Sequence, residues 1–270
     1  MRRRFDAEYI RSELNRLGTQ LRTEVTVYLI GGGAMAFRSL KDTTKDVDLV
    51  VTDGNDLRVL GAALRENGYE VVREPGDEYE DLGAQRILEN EDGCRFDVFN
   101  RQVIDKLVLS ESMRRRSESH LDAGRLSVAL VSAEDVFLFK SVAGRTDDIG
   151  DMFVLVQTDL DFEVIEEELE RQIELLGREL FVTYANEALL ELEDRHDVST
   201  PLAERASDIT ERAYRELEVL QAFDDSTTRS ELEAVVDLST EAVDEALKRL
   251  TAKGVVAVED EVVMRESTDP

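Results

Sequence analysis

The sequence predicts an α/β protein: a mixed sheet flanked by helices, then further helices, then a small helix-and-hairpin module. Three observations carry this. Short apolar strands alternate with amphipathic helices over the first part of the chain, and two of the strands are joined by the polar turn Glu89–Gly93. Phe162 to Leu192 is densely charged, with apolar residues at helical spacing. From Thr210 onward come helix-start signals and then two apolar runs, Val255–Val258 and Glu261–Met264, split by Glu259-Asp260.

Each element has its own warrant. Asp6 to Leu21 places Tyr9, Ile10, Leu14, Leu17 and Leu21 on one helical face. Val25 to Ile30 is a short apolar strand that ends on Gly31-Gly32-Gly33, and Ala34 to Leu40 begins a short helix. Asp46 to Thr52 reads as a strand, Asp56 to Asn67 as an amphipathic helix closed by Gly68, and Tyr69 to Arg73 as another strand. Gln85–Leu88 and Cys94–Phe99 form the hairpin pair, Met113 to Leu126 is polar and basic, and Leu126 to Val131 is extended. Ser132 caps a helix to Val142 with Asp135 three residues on, and helix resumes from Asp147. Asp194 to Asp208, polar and containing Pro201, reads as a linker. Thr210 to Phe223 is helical, Thr228–Glu231 is a capping box, and Ser239 caps a helix carrying Val243, Ala246, Leu247 and Leu250, which Lys253-Gly254 ends. The expected domains are 1–158, a helical connector 159–207, and 208–266.

Composition narrows the function classes. The chain of 270 residues has 61 acidic against 33 basic side chains, a net charge of −28. The acids are dispersed rather than gathered in a tail, which fits the solvated shell of a protein from a salt-loving organism. A single cysteine, Cys94, excludes an internal disulfide, and two histidines, His120 and His196, exclude a histidine-rich zinc site. The start, Met1-Arg-Arg-Arg-Phe-Asp, has no apolar stretch behind its basic residues and is not expected to act as a secretory signal. No apolar run is long enough to span a bilayer. The expected location is the cytoplasm, with no membrane partner.

The chemistry concentrates at Tyr28–Ala36 and Thr44–Val50. Residues two apart on a strand share a face, so the carboxylates of Asp46 and Asp48 stand side by side while Val47, Leu49 and Val51 face a core. A glycine turn opening a helix offers N–H groups to phosphate, and paired carboxylates beside it can hold the Mg²⁺ that accompanies phosphate. In a chain this acidic, Asp-x-Asp alone reads as a solvated strand face. Asp97, within Arg95-Phe-Asp-Val-Phe99, adds a third carboxylate, expected to face out from its strand while Phe96 and Val98 face in. Three such carboxylates can hold two Mg²⁺ ions and activate a hydroxyl. Gly31, Gly32 and Gly33 are the candidate phosphate contacts, the plainer alternative being a turn that lets helix and strand pack closely.

Leu29-Ile-Gly-Gly-Gly-Ala-Met-Ala36 with Thr44-Lys-Asp-Val-Asp48 resembles the nucleotidyltransferase superfamily of the DNA polymerase β type, and is most similar to its minimal branch, which includes the AbiEii-like toxins. The resemblance covers approximately residues 7 to 155. It implies Asp46, Asp48 and Asp97 as catalytic residues and metal ligands for Mg²⁺, with Asp97 also helping to deprotonate the acceptor. It implies that Gly31 and Gly32 meet the triphosphate of an NTP. Glu134–Lys140 and Arg145-Thr-Asp-Asp148 look similar to later motifs of the toxin-like branch, which implies that Lys140 neutralises the triphosphate. Many members have Ser or Thr where this chain has Gly32, and an arginine near the place of Lys41-Asp42, with Arg38 further back. The implied acceptor is an RNA end, with tRNA a natural candidate, or a protein or small-molecule hydroxyl; an antitoxin is an implied partner.

The C-terminal pattern resembles a winged helix, with Ser239 to Lys253 as its recognition helix. Such modules bind DNA, but they also dock proteins and form homodimers, and Glu241, Asp244 and Glu245 stand beside Lys248, Arg249 and Lys253 here. Arg114-Arg115-Arg116, with Arg86, Arg95 and Arg101, is the main basic concentration of the first domain: either a guide for RNA or a set of partners for the surplus acids. Two functional readings stay open, a Mg²⁺-dependent nucleotidyltransferase and a non-catalytic regulator that binds DNA through its winged helix.

Overall fold

The structure, a computed structural model, describes residues 3–72, 86–103 and 106–266. The expected strand ends at Arg73 and Gln85 lie outside the described residues. The chain divides into two units, Met1–Ala203 and Glu204–Pro270.

In the first unit, α1 (Ala7–Gln20) starts where the Asp6 side chain accepts from the Tyr9 N–H, and it buries Ile10, Leu14 and Leu17. Then follow β1 (Val25–Ile30), α2 (Gly31–Phe37), β2 (Asp46–Val51), α3 (Gly54–Glu66), β3 (Glu70–Val71), β4 (Arg86–Glu89) and β5 (Arg95–Asn100). The short pair β6 (Gln102–Val103) and β7 (Leu107–Val108) leads to α4 (Glu111–Arg116) and the hairpin β8 (Glu118–Ala123), β9 (Leu126–Leu130). Seven strands make one mixed sheet in the order β3-β4-β5-β2-β1-β9-β8. β1 runs antiparallel to β2 and parallel to β9, and β2 runs parallel to β5. That order decides the site. It sets β2 and β5 side by side near the middle of the sheet, with Asp48 opposite Asp97.

A helical layer follows: α5 (Ala133–Ala143), α6 (Thr146–Val156), α7 (Phe162–Leu176) and α8 (Val182–His196). Val136 to Phe139 and Val142 are all buried, so α5 is apolar around most of its circumference. It can be so because α2, α6, α7 and α8 all pack against it. Residues 159 to 203 are therefore part of the first unit rather than a connector. The linker expected at 194–208 is also absent as such. α8 runs to His196, and Pro201 opens the next helix, α9 (Pro201–Gln221), where its missing N–H costs nothing.

Two other expectations change. The glycines do not form a turn ahead of a helix from Ala34; they are the first turn of α2, which ends at Phe37. β8 falls in a stretch that showed no strand pattern, because it is a sheet-edge strand whose residues are mostly exposed or half-buried.

The second unit adds β10 (Ser226–Thr228), α10 (Arg229–Val235), α11 (Thr240–Ala252), β11 (Val256–Glu259) and β12 (Val262–Arg265) to the later part of α9. Helix, strand, two helices and two strands in that order make a winged helix, with a sheet ordered β10-β12-β11. Its core is Val219, Phe223, Leu232, Val243, Leu247, Leu250, Val256 and Val263. Both expected caps are present, Thr228 with Glu231 and Ser239 to the Ala242 N–H. β10 was not expected, since three residues of Ser and Thr carry no apolar alternation.

One close approach locks α1 to the β8–β9 hairpin. A Cβ on Gly18 would lie 1.7 Å from the Ala123 carbonyl oxygen, and the Arg125 N–H donates to the Gly18 carbonyl at 3.2 Å. Backbone cannot rotate out of the way as a side chain can. Gly18→Ala is expected to lower stability by about 3 kcal/mol, read as the shift in a urea unfolding curve at unchanged slope.

Candidate active site

One cleft of about 740 Å³ gathers Asp46, Asp48, Asp97, Gly32 and Lys140. Asp46 and Asp48 are half-buried on β2, while Val47, Leu49, Val50 and Val51 are buried. Asp97 is placed beside them by the β2–β5 register, but it does not face out to solvent as expected. It is 1% exposed, and it lines the cleft opposite Asp48. The acidic face of the sheet looks into the cleft, whose other wall is the start of α6: Thr146, Asp147, Asp148, Gly150 and Asp151.

The glycines earn their place by close approach. Gly31 has φ +59°, and a Cβ there would lie 2.6 Å from Asp48 Oδ2. A Cβ on Gly32 would lie 2.5 Å from Thr44 Oγ1, a hydroxyl that donates to the Asp46 carbonyl at 3.0 Å. Gly33 packs against Leu29 instead, where a Cβ would come 3.0 Å from Cδ1. Gly31 and Gly32 thus let α2 start against the acidic strand, and Gly33 lets it lie on β1.

Lys140 is 6% exposed and sits between two carboxylates, Asp148 at 2.5 Å and Asp151 at 2.8 Å. Lys41 grips Asp151 from the other side at 2.6 and 2.7 Å. The Arg145 Nε donates to Asp148 at 2.8 Å, and Lys45 pairs with Asp147 at 2.7 Å. Burial alone would favour neutral Lys140, but the two carboxylates more than offset it and hold its pKa above the ordinary lysine value. Burial likewise works against ionised Asp148, and Lys140 and Arg145 overcome it, so its pKa falls below the usual carboxylate range. Lys41, Lys45, Asp147 and Asp151 were not assigned roles from the sequence. The one available signal was helical spacing, since Asp147, Asp148 and Asp151 fall on one side of a helix.

Asp48 behaves in the opposite way. Burial first, and then the adjacent Asp46, push its carboxyl up to about 6, against weaker pulls from Arg145 and Lys140. Asp48 is thus pushed toward its neutral form, while each of the α6 aspartates is paired to a cation. The expected three-carboxylate metal set is not formed as the side chains stand: among the described residues, no three His, Cys, Asp or Glu are grouped to hold an ion. Asp46 and Asp48 do fit the way Mg²⁺ is commonly held, by one or two carboxylates completed by waters and substrate phosphates.

The basic concentration outside the cleft is largely paired. Arg116 bridges Asp135 at 2.5 Å and Glu168 at 2.9 Å, both 1% exposed, while Arg115 pairs with Glu111 and Arg95 with Glu89. Within the second unit, Arg249 and Lys253 of α11 both bind Glu216 of α9, at 2.7 and 2.5 Å, and Asp244 takes Arg229. α11 and its C-cap residue therefore turn Arg249 and Lys253 toward their own unit, and Glu241 and Glu245 remain exposed on α11.

Two outcomes follow from these charges. Folded Asp48 keeps its proton up to about pH 6, whereas an unfolded aspartate loses it near 3.8. The folded state therefore binds the extra proton between those values; this contribution to stability is full below about pH 4 and is lost as pH rises through about 6. Asp48→Asn is expected to melt above wild type at about pH 7.5, with the gap closing near pH 4; equal melting temperatures at both would contradict it. Lys140→Met leaves Asp148 with Arg145 and Asp151 with Lys41 and is expected to cost about 1.5–3 kcal/mol in chemical denaturation.

No family model matches the chain, and no curated protein matches it; the functional reading rests on the cleft itself.

Proposed function

We propose that the first unit is a nucleotidyltransferase that moves a nucleoside monophosphate from an NTP to an acceptor hydroxyl and releases pyrophosphate. The observation that carries this reading is the register of β2 and β5. It brings Asp46, Asp48 and Asp97 to one cleft, against the start of α2 and opposite a wall bearing lysines and an arginine. Aspartates on one wall, facing lysines and an arginine on the other, suit a substrate that is a polyphosphate carrying its own divalent ion.

In this reading Asp46 and Asp48 hold Mg²⁺, which when bound neutralises phosphate charge. Lys41, Lys140 and Arg145 line the opposite wall, whose positive charge helps to neutralise the phosphate chain. Asp97, nearly excluded from water, accepts the proton of the acceptor hydroxyl as the oxygen attacks the α-phosphorus. Gly31 and Gly32 keep the α2 backbone close to Asp48 and Thr44, so that the phosphates are held beside the carboxylates. The acceptor is an RNA end, a protein side chain or a small molecule, and a toxin-like role toward tRNA is one form of this reading. The winged helix serves to place the acceptor or to dock a partner.

The test uses high KCl, Mg²⁺ and each labelled NTP, with total RNA and the protein itself as acceptors. Label transfer by wild type should fall at least about 100-fold in Asp46→Ala. No transfer to any acceptor, together with no Mg·NTP binding by calorimetry, would leave the non-catalytic regulator as the better reading.

A further inference from the structure

Lys45 and Asp147 stand across the cleft from each other. Lys45 immediately precedes Asp46 at the start of β2, and Asp147 lies in the first turn of α6. Both line the cleft, and they meet at 2.7 Å. Unlike the Lys140 pairs, this one is wet. The Lys45 side chain is 38% exposed and that of Asp147 65%, against 8% and 2% for Lys140 and Asp148. The Asp147 carboxyl is held below the usual aspartate range chiefly by Lys45, with smaller help from Arg4 and Lys41, both of which also line the cleft.

The two kinds of pair suit different jobs. Buried Lys140, clamped between two carboxylates with Lys41 on the second of them, is part of the wall and is costly to break. An exposed pair adds little to stability and opens readily for a better partner. A triphosphate is such a partner, with several charges and many acceptor oxygens.

We propose that Lys45 is a phosphate-binding residue which Asp147 occupies in the empty site, so that the Lys45–Asp147 pair is a latch that the incoming polyphosphate must displace. This rests on the nucleotidyltransferase reading of the cleft. Asp147 stands where a phosphate oxygen will stand; when the phosphates arrive, Lys45 exchanges one anionic partner for another, and Asp147 is released to solvent at the α6 terminus. The latch makes affinity for short phosphates low and favours ligands with enough charge to compete. It also makes binding less salt-sensitive than a bare cluster of cations, because salt weakens the competitor as well as the ligand contact.

The signs of two variants separate a latch from a strut. Magnesium triphosphate, without any nucleoside, is titrated calorimetrically into wild type, Asp147→Asn and Lys45→Gln. A latch predicts that Asp147→Asn lowers Kd about 2- to 5-fold, the worth of one exposed pair, while Lys45→Gln raises it. If the pair only braces α6 against the sheet, both variants weaken binding or neither changes it, which overturns the latch and leaves the site reading standing. If wild type and both variants all fail to bind magnesium triphosphate, the latch falls together with the phosphate-site reading. Thermal melts of both variants, expected within a few degrees of wild type because the pair is exposed, ensure that a changed Kd is not unfolding.

Discussion

Lys140 is the constraint around which the first unit is arranged. A lysine 6% exposed in the last turn of a largely buried helix is tolerable only with anionic partners at contact distance. Asp148 and Asp151 supply them, and to do so the first turns of α6 must lie beside the last turns of α5. Asp151 in turn recruits Lys41, from the segment between α2 and β2, at 2.6 Å. One buried ammonium thereby fixes where α6 begins relative to the acidic strand, and that distance is the width of the cleft. The apolar packing of α5 against α2, α7 and α8 supplies the stability; the ion pairs supply the geometry.

The cleft is lined by two sets of three aspartates that are brought there in different ways. Asp147, Asp148 and Asp151 are each paired to a cation. Asp46, Asp48 and Asp97 come from the sheet, where register rather than charge brings them together, and burial with mutual repulsion drives Asp48 up to about 6. Placing like charges side by side is unfavourable, and the fold sustains it through the buried Val47, Leu49, Phe96 and Val98 on the same two strands. In the second unit Arg249 and Lys253 both bind Glu216.

Much of this was legible in the sequence because it is local. Alternation of period two put Asp46 and Asp48 on one face of a strand; capping residues located α5, α10 and α11; and the spacing of apolar residues located α1 and separated helix from strand. Where reading failed, the missing information was not local. β8 is polar because it lies at an edge, and β10 is too short to show a period. Pro201 breaks a pattern when seen from the residues before it and begins a helix when seen from those after it. The glycine triplet signalled a close approach, but not that Gly31 and Gly32 meet Asp48 and Thr44 while Gly33 meets Leu29.

The sequence by itself determined the α/β class, most element boundaries, and the three carboxylates and the lysine that gather in the cleft, because propensity, capping and side-chain periodicity act over a few residues. Only the tertiary structure decided that β5 lies inside the sheet and buries Asp97, that the helices after residue 158 complete the first unit, and which cation each α6 aspartate takes. Lys41 and Asp151 are 110 positions apart, and Lys45 and Asp147 are 102. Strand order and charge pairing over such separations follow from how the whole chain packs, and in a chain with 61 acids to choose from, composition cannot name the partners.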